Sequence, residues 1–343
     1  MKNQFMMAAL AAAALLASCS KDAGTDPVPV PGTPDAIRAT AKSLTIETST
    51  MPGSKAAYTA ENADGLKAAV YGSLATGDYS STYVSGTMTF KAGVTQSDAV
   101  AFDAGATGST SLPADKSSVF LTALYPSDDV TWSALGTTAT VTFTGKEDIM
   151  ASAQSEVAKD GGSGGKAAFG TFAFKHLLTR IDVTIKGEDE SAVAAWGEVQ
   201  SVKLTKVKSV ATFSNQAAVT LADGTAATGS AFSGSASGWS FYTDADAAPA
   251  SKALTTSQVA YATTMMAPFT AANSGDLTLE IVTKTASGSA VTSTVDVKVP
   301  TDGGADTQGK AYSINLVFKK ADISGVATVQ GWGTPVDIEQ PVI

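Results

Sequence analysis

"FGTFAFKHLLTRIDVTIKG", residues 169–187, is the longest apolar-rich stretch of the chain, and its second half decides the fold class. Ile181, Val183 and Ile185 occupy every second position there, with polar residues between them. A period of two places alternate side chains on one face of an extended strand, whereas a helix repeats about every 3.6 residues. The stretch therefore predicts a strand with one buried face.

Strand patterns of the same kind fill the chain on both sides of this stretch. Short alternating segments separated by Gly, Ser and Asp turns are typical of antiparallel β-sandwiches. Two segments favour a helix instead, residues 60–70 and 188–198. We predict further strands over residues 43–49, 69–74, 82–90, 119–126, 139–146, 199–207, 238–243, 259–269, 277–300 (a hairpin with Gly288 near its tip), 311–320 and 323–332.

The composition agrees with an all-β chain of more than one domain. Of its 343 residues, 44% are hydrophobic and 16% are charged, which is enough apolar material for sizeable cores. The length exceeds what one sandwich needs, so we predict two tandem antiparallel β-sandwich domains, at residues 39–190 and 191–343. The charged, helix-capable segment 188–198 marks the boundary between them.

The first residues predict export. Lys2 supplies a positive start, and residues 5–17 form an apolar run that is shorter than the about 20 residues of a spanning helix. A large aliphatic residue and two small residues then precede Cys19, which resembles the signal of bacterial lipoproteins. Residues 1–18 would be the signal peptide, and the Cys19 thiolate would accept a diacylglycerol. A chance cysteine at the end of an ordinary signal peptide is the alternative.

Residues 19–38 predict an extended tether between this anchor and a body that begins near Ser43. Four prolines between positions 20 and 36 favour a semi-rigid, unpacked segment. Arg38 lies at the end of the tether and is one of two arginines in the chain. A flexible arginyl bond is a ready protease site, so Arg38 and Ala39 are candidate processing residues. An ordinary surface arginine is the alternative.

No segment of the sequence carries a complete catalytic or metal-binding pattern. His176 is the single histidine, and its position among strand residues predicts a packed side chain. The Gly-rich residues 161–165 lack the context of a nucleophile elbow, and residues 304–311 lack the Ser or Thr of a P-loop. Asp128 and Asp129 fall short of a calcium ligand set. We predict no enzyme, no cofactor and no metal site.

The net charge and the aromatic residues indicate which partners the protein could bind. A formal net charge of −9 with scattered lysines excludes nucleic acid as a partner, because no cationic track faces the phosphates. Exposed tryptophans could stack on sugars, which makes a surface glycan-binding lipoprotein the alternative function, whereas buried ones would belong to sandwich cores. The sequence leaves both readings open for the four tryptophans, which are Trp132, Trp196, Trp239 and Trp332.

Three features together resemble the fimbrillin-like (Mfa-like) lipoproteins, the subunits of type V pili of Bacteroidetes. The first is the lipoprotein signal and tether around Cys19. The second is "FAFKHLLTRIDVTI" (172–185), which is similar to the family's F-x-H-x-L and alternating strand. The third is "GKAYSINLVFKKADISGVATVQGW" (309–332), which is similar to its G-x-x-Y-x-I-x-L strand and closing strand.

The resemblance implies transthyretin-like β-sandwiches and export as a surface-exposed outer-membrane lipoprotein. In stalk subunits an arginine-specific protease cuts near the first strand, and a strand of the next subunit fills the groove that this opens. The physical basis is β-augmentation, in which an incomplete sheet gains a hydrogen-bonded strand. Head-to-tail contacts of this kind do not close, so they form filaments.

Applied to this chain, the resemblance implies a structural or adhesive subunit of stalk, tip or anchor type. Its partners would be other fimbrial subunits and the outer membrane, with room for a host or glycan ligand. Residues 20–38 contain few strand formers, unlike stalk precursors, which favours a subunit that keeps its lipid. The implied cleavage follows Arg38, and the implied donor strand lies in residues 334–343 with Val336, Ile338, Val342 and Ile343 filling pockets.

Overall fold

The computed structural model describes the chain from Arg38 to Pro335, with gaps. The described residues are 38–40, 65–90, 100–133, 136–159, 170–227, 232–243, 247–271, 276–285, 287–300, 306–320, 322–331 and 334–335. Their strands are β1 (Arg38–Thr40), β2 (Lys67–Ser73), β3 (Val84–Thr89), β4 (Val100–Ala101), β5 (Thr107–Gly108), β6 (Val119–Tyr125), β7 (Trp132–Ser133), β8 (Thr138–Thr142), β9 (Met150–Val157), β10 (Gly170–Thr171), β11 (Phe174–His176), β12 (Thr179–Gly187), β13 (Glu198–Val207), β14 (Thr212–Phe213), β15 (Gln216–Thr220), β16 (Thr225–Ala226), β17 (Phe232–Ser233), β18 (Ala236–Ser237), β19 (Trp239–Ser240), β20 (Lys252–Ala253), β21 (Val259–Met266), β22 (Leu277–Lys284), β23 (Ala290–Val297), β24 (Ala311–Lys319), β25 (Asp322–Gly331) and β26 (Thr334–Pro335). The one helix among these residues is α1 (Glu190–Trp196).

The all-β class is confirmed, and its sheets are mainly antiparallel. Among the described strands, two pairs are parallel, β1 with β10 and β12 with β24. The chain between β12 and β24 is long enough for the crossover that parallel pairing requires. The predicted strand at residues 43–49 lies outside the described residues.

Two sheets form a sandwich around the stretch that decides the fold class. One has the strand order β21-β12-β24-β25-β26, and the other has the order β19-β13-β22-β23. Ile181, Val183 and Ile185 of β12 are buried, as predicted from their period of two. Asp182 and Thr184 between them are buried as well, so the prediction of a single buried face is wrong and both faces of the strand are covered. On β25, a Cβ at Gly325 would lie 3.1 Å from Cγ atoms of Val295 and Val297, so the two sheets pack closely there.

The stretch 169–187 forms three strands in three different sheets, not one long strand. β10 joins β1, β11 joins β9, and β12 enters the sandwich. The alternation of apolar and polar residues breaks at Leu177 and Leu178, which are adjacent and both fully buried. Both residues lie between β11 and β12, where the chain passes from one sheet to the next with its apolar side chains still buried.

Two further sheets contain most of the strands that precede α1 in sequence. One has the order β11-β9-β6-β2-β3-β5, and the other has the order β16-β15-β8-β7. In the latter, β8 precedes the helix and β15 follows it, and the strands pair from Thr138 to Thr142. β12 also precedes the predicted boundary at residue 190 and pairs with strands that follow it. The division into domains at 39–190 and 191–343 stays a prediction.

One predicted helix is confirmed and the other is wrong where it is described. Residues 188–198 contain α1, whose N-cap Asp189 accepts a hydrogen bond from the Ala192 N–H. Residues 67–70 of the predicted helix 60–70 belong to β2, which pairs with β3 on one side and β6 on the other. Pairing on both sides, with strand-forming Val70 and Tyr71 in its middle, overrides the helix preference of its Ala and Lys residues.

Candidate assembly site

Arg38 and Ala39 lie in the middle strand of a small sheet with the order β10-β1-β4, which we call the N-terminal sheet. β1 runs antiparallel to β4, with Arg38 opposite Ala101 and Ala39 opposite Val100. It runs parallel to β10, with Ala39 opposite Gly170. The peptide bond between Arg38 and Ala39 is therefore part of a strand with neighbours on both sides.

This placement differs from the flexible tether predicted up to residue 38. Strand pairing already includes Arg38, before the expected start of the body near Ser43. β1 has three residues, and β4 and β10 have two each, so the sheet is small. No period or motif could have found β4 and β10, because two residues are too few to show an alternation.

A cluster of buried aromatic rings adjoins the N-terminal sheet along the chain. Phe172 directly follows β10 and is fully buried. Its ring centroid lies 6.0 Å from that of Phe90 in an edge-to-face contact, and Phe90 lies 6.0 Å from Phe174. Edge-to-face pairs of this kind add stability beyond the burial of their area. The cluster therefore holds the chain at the end of β10 in place.

The C-terminal end of the described chain is an edge of the sandwich. β25 pairs with β24 over all but its last residue, from Asp322 to Gln330. On its other side, the described partner is β26, which pairs only at Gln330 and Gly331. The candidate donor residues directly follow β26 in sequence, and all four of them, together with the lipidation candidate Cys19, lie outside the described residues.

The three described tryptophans do not form an exposed sugar-binding platform. Trp239 is buried between Phe143 and Phe213, with ring centroids at 5.8 Å, and its indole N–H donates to the Met265 carbonyl at 2.9 Å. Trp132 is also buried, and Trp196 is half-buried against Phe318. Indoles with one buried face and a satisfied N–H are typical of cores. Trp332 lies outside the described residues.

His176 is packed, as predicted from its position among strand residues. Its Nδ1 atom lies 2.8 Å from Oδ1 of Asp148, and both side chains are buried. Four positions on, the fully buried Arg180 donates from Nε to Asp182 Oδ1 at 3.0 Å. Each contact gives a buried polar side chain a partner, which is the condition for polar groups in an interior.

The described residues of the remaining sequence motifs lie in a surface ion pair and in a turn. Asp128 pairs with Lys67 at 3.1 Å on the surface. Residues 306–310 form a turn that leads into β24, and residues 161–165 lie outside the described part of the chain. Within the described residues no group of three or more His, Cys, Asp or Glu side chains could hold a metal ion. In the same residues no helix is long and apolar enough to span a membrane.

Comparison with protein families gives one match, to the family described as fimbrillin-like, over residues 54–332. No curated protein matches the sequence. The family match includes both motifs of the sandwich on which the resemblance rests, at 172–185 and 309–332.

Solved structures share the fold. A candidate cell adhesion protein from Bacteroides uniformis ATCC 8492 superposes with a TM-score of 0.53 at 19% identity, over 87% of this chain and 97% of that one. Another, from Bacteroides ovatus ATCC 8483, gives 0.53 at 16% identity, over 88% and 99%. The fimbrial anchor protein Mfa2 from Porphyromonas gingivalis gives 0.42 at 11% identity, over 87% and 97%. At these identities the first two structures show a shared fold and nothing beyond it.

Proposed function

Because the chain belongs to the fimbrillin-like family, we propose that it is a structural and adhesive subunit of a cell-surface fimbrium. The observation that carries the proposal is the family match over residues 54–332, which spans most of the strands of the protein. Other fimbrial subunits are then its partners, in head-to-tail contact.

Attachment to the outer membrane would proceed through Cys19. The proposal rests on the residues around it, an apolar run that is too short to span a membrane followed by two small residues before the cysteine. Signal removal would make Cys19 the first residue of the exported chain. The Pro-rich residues 20–36 would then hold the folded body away from the membrane surface.

Processing after Arg38 would convert the anchored protein into a building block. β1 supports this proposal because it is the middle strand of the N-terminal sheet. The cut would remove Arg38 with the leader. Once the remaining Ala39 and Thr40 also leave the sheet, a gap one strand wide would open between β4 and β10, bordered by backbone N–H and C=O groups that have lost their partners. A strand from a neighbouring subunit could pair with both borders of this gap.

The donor strand would come from residues 334–343. Val336, Ile338, Val342 and Ile343 are its apolar residues, and they follow β26 at the sandwich edge. The spacing of two between Val336 and Ile338 is that of a strand with one apolar face. Pro341 lacks an N–H, so the ladder would be interrupted at that position.

The experiment that tests the proposal is N-terminal sequencing and mass spectrometry of the protein from the surface of native cells. An acylated Cys19 at the N-terminus identifies an anchored subunit, and Ala39 identifies a processed one. For a processed subunit we expect ladders of polymers that resist SDS. An Arg38→Lys variant keeps the charge but removes the arginyl bond, so it should abolish the ladders. Absence of the protein from surface fimbriae in every form would contradict the proposal.

A further inference from the structure

We infer that the N-terminal sheet protects the Arg38–Ala39 bond from proteolysis, so that processing requires β1 first to leave β4 and β10. This inference rests on the proposed processing after Arg38. It concerns how that step is controlled, because it makes the release of β1 the event on which the rate of cleavage depends.

An endoprotease binds the residues around the scissile bond as an extended strand, through backbone N–H and C=O groups. In this structure the backbone around the bond already pairs with Ala101 and Val100 of β4 and with Gly170 of β10. The same backbone cannot pair with a protease at the same time, so the folded form is a poor substrate.

The protection is weak enough to be reversible. β1 pairs over two residues with β4 and over two residues with β10. Segments with so few backbone hydrogen bonds open locally far more often than a whole domain unfolds. Cleavage through transient opening then follows the population of the open form, provided that closing is faster than cleavage.

The position of the bond within β1 links cleavage to the opening of the gap. Hydrolysis adds one water across the bond, leaving a carboxylate on Arg38 and an ammonium group on Ala39. Of the described residues, Arg38 then belongs to the leader, and Ala39 and Thr40 belong to the body, where they still pair with β4 and β10. The cut by itself does not empty the gap. The motion that exposes the bond is the one that opens the gap between β4 and β10.

The test uses a reversible crosslink in the full chain with Cys19→Ala, so that the introduced cysteines are the only ones. Thr40→Cys and Thr171→Cys place a disulfide between directly opposed residues of β1 and β10. Neighbouring strands lie about 4.8 Å apart, within the Cα separation that a disulfide accepts. An arginine-specific endoprotease is added, and intact-mass spectrometry measures the initial rate of cleavage after Arg38. A synthetic peptide covering residues 33–44 with cysteine at position 40 is the unprotected reference.

The oxidised protein should be cut at least about tenfold more slowly than the reduced protein, and the reduced protein more slowly than the peptide. A second arm uses Val100→Pro and Ala101→Pro. Only one of two adjacent residues directs its N–H toward a given neighbour, so one of these variants should accelerate cleavage several-fold. Ala253→Pro, at an exposed residue of the two-residue strand β20, is the matched control and should leave the rate unchanged.

The outcomes separate this inference from the proposed function. Cleavage of the oxidised protein at the rate of the peptide would overturn the inference while leaving processing after Arg38 intact. If native cells never produce a chain that begins at Ala39, the proposed processing fails, whether or not the crosslink slows the protease in vitro. The inference would also be overturned if cleavage after Arg38 is slow and neither the crosslink nor the proline variants change its rate.

Discussion

Nδ1 of His176 lies 2.8 Å from Oδ1 of Asp148, and the two side chains are buried where β11 meets the loop before β9. Asp148 precedes β9 by two residues, so the contact joins the two strands at their ends beyond their paired backbone. The contact gives the histidine of the sequence motif a role in packing.

Replacing Asp148 by Ala should destabilise the fold by about 1–3 kcal/mol, because the buried imidazole of His176 loses this acceptor. Urea unfolding followed by tryptophan fluorescence measures the change. Asp128→Ala is the matched control, since Asp128 pairs with Lys67 on the surface and should cost about 0.5 kcal/mol or less. Equal losses for the two variants would show that the buried contact contributes nothing special.

Tyr261 predicts how the fold responds to alkali. Its side chain is buried, its hydroxyl has no hydrogen-bond partner among the described residues, and burial raises its pKa from 10.0 to about 12. A folded-state pKa above the unfolded value means that its contribution is fully present below about pH 10 and is lost as the pH rises toward 12. Tyr261→Phe should therefore shift the midpoint of alkaline unfolding to higher pH.

The same variant should leave stability at pH 7 unchanged or slightly increased, since it removes a buried hydroxyl that makes no hydrogen bond within the described part of the chain. Tyr83→Phe is the control, because the Tyr83 hydroxyl donates to the Ser111 carbonyl at 2.7 Å. Circular dichroism across a pH series distinguishes the two variants. A loss of stability at pH 7 for Tyr261→Phe, equal to that for Tyr83→Phe, would contradict the account.

Strands with apolar residues at every second position could be predicted from the sequence, and others could not. In β24, Tyr312, Ile314, Leu316 and Phe318 alternate with smaller or polar residues, and all four are fully buried as expected. β9 has eight residues and is not predicted from the sequence, because Ala, Ser and Gln in its middle are poor strand formers. It is a strand because β6 and β11 pair with it on both sides.

The candidate processing site could likewise be predicted only in part from the sequence. Arg38 could be found because it is one of two arginines and lies beside a Pro-rich segment. Its neighbours in the sheet could not, since Ala101 and Gly170 are far away in sequence and lie in strands of two residues. Pairing between such distant short segments depends on the folded body, which local periodicity does not encode.

Asp189 predicts an acid-sensitive element in α1. Its carboxylate accepts a hydrogen bond from the Ala192 N–H at 2.8 Å and another from the Ser191 hydroxyl, and these bonds lower its pKa below 3.8. A lowered folded-state pKa means that this stabilisation is present above about pH 3.8 and is lost as the pH falls through the folded value.

Asp189→Asn should therefore keep the cap but reduce the dependence of stability on acid, whereas Asp189→Ala should lose the cap at all pH values. Thermal unfolding at pH 7 and at pH 3 measures both effects. Identical stability of Asp189→Ala and the unchanged protein at pH 7 would mean that the cap does not hold the helix.

Gly145 joins the part of the chain before α1 to the part after it, and its contacts make the last prediction. Its carbonyl accepts hydrogen bonds from the Met265 N–H at 2.9 Å and from the Thr264 hydroxyl. Its φ is +101°, and an added Cβ would lie 2.7 Å from Thr264 Oγ1 and 2.9 Å from Trp239 Nε1. Gly145→Ala should therefore cost about 1 kcal/mol for the backbone conformation and about 1–3 kcal/mol more for the crowding. Gly105→Ala separates the two contributions, because Gly105 has a φ of +99° with nothing within 4 Å of its Cβ position. Chemical denaturation should thus give a clearly larger loss of stability at residue 145.

Because Trp239 is part of the crowded contact, its fluorescence should also change in the folded Gly145→Ala protein and not in Gly105→Ala. Equal losses at the two positions would show that the contact between β21 and the loop after β8 adapts to a methyl group.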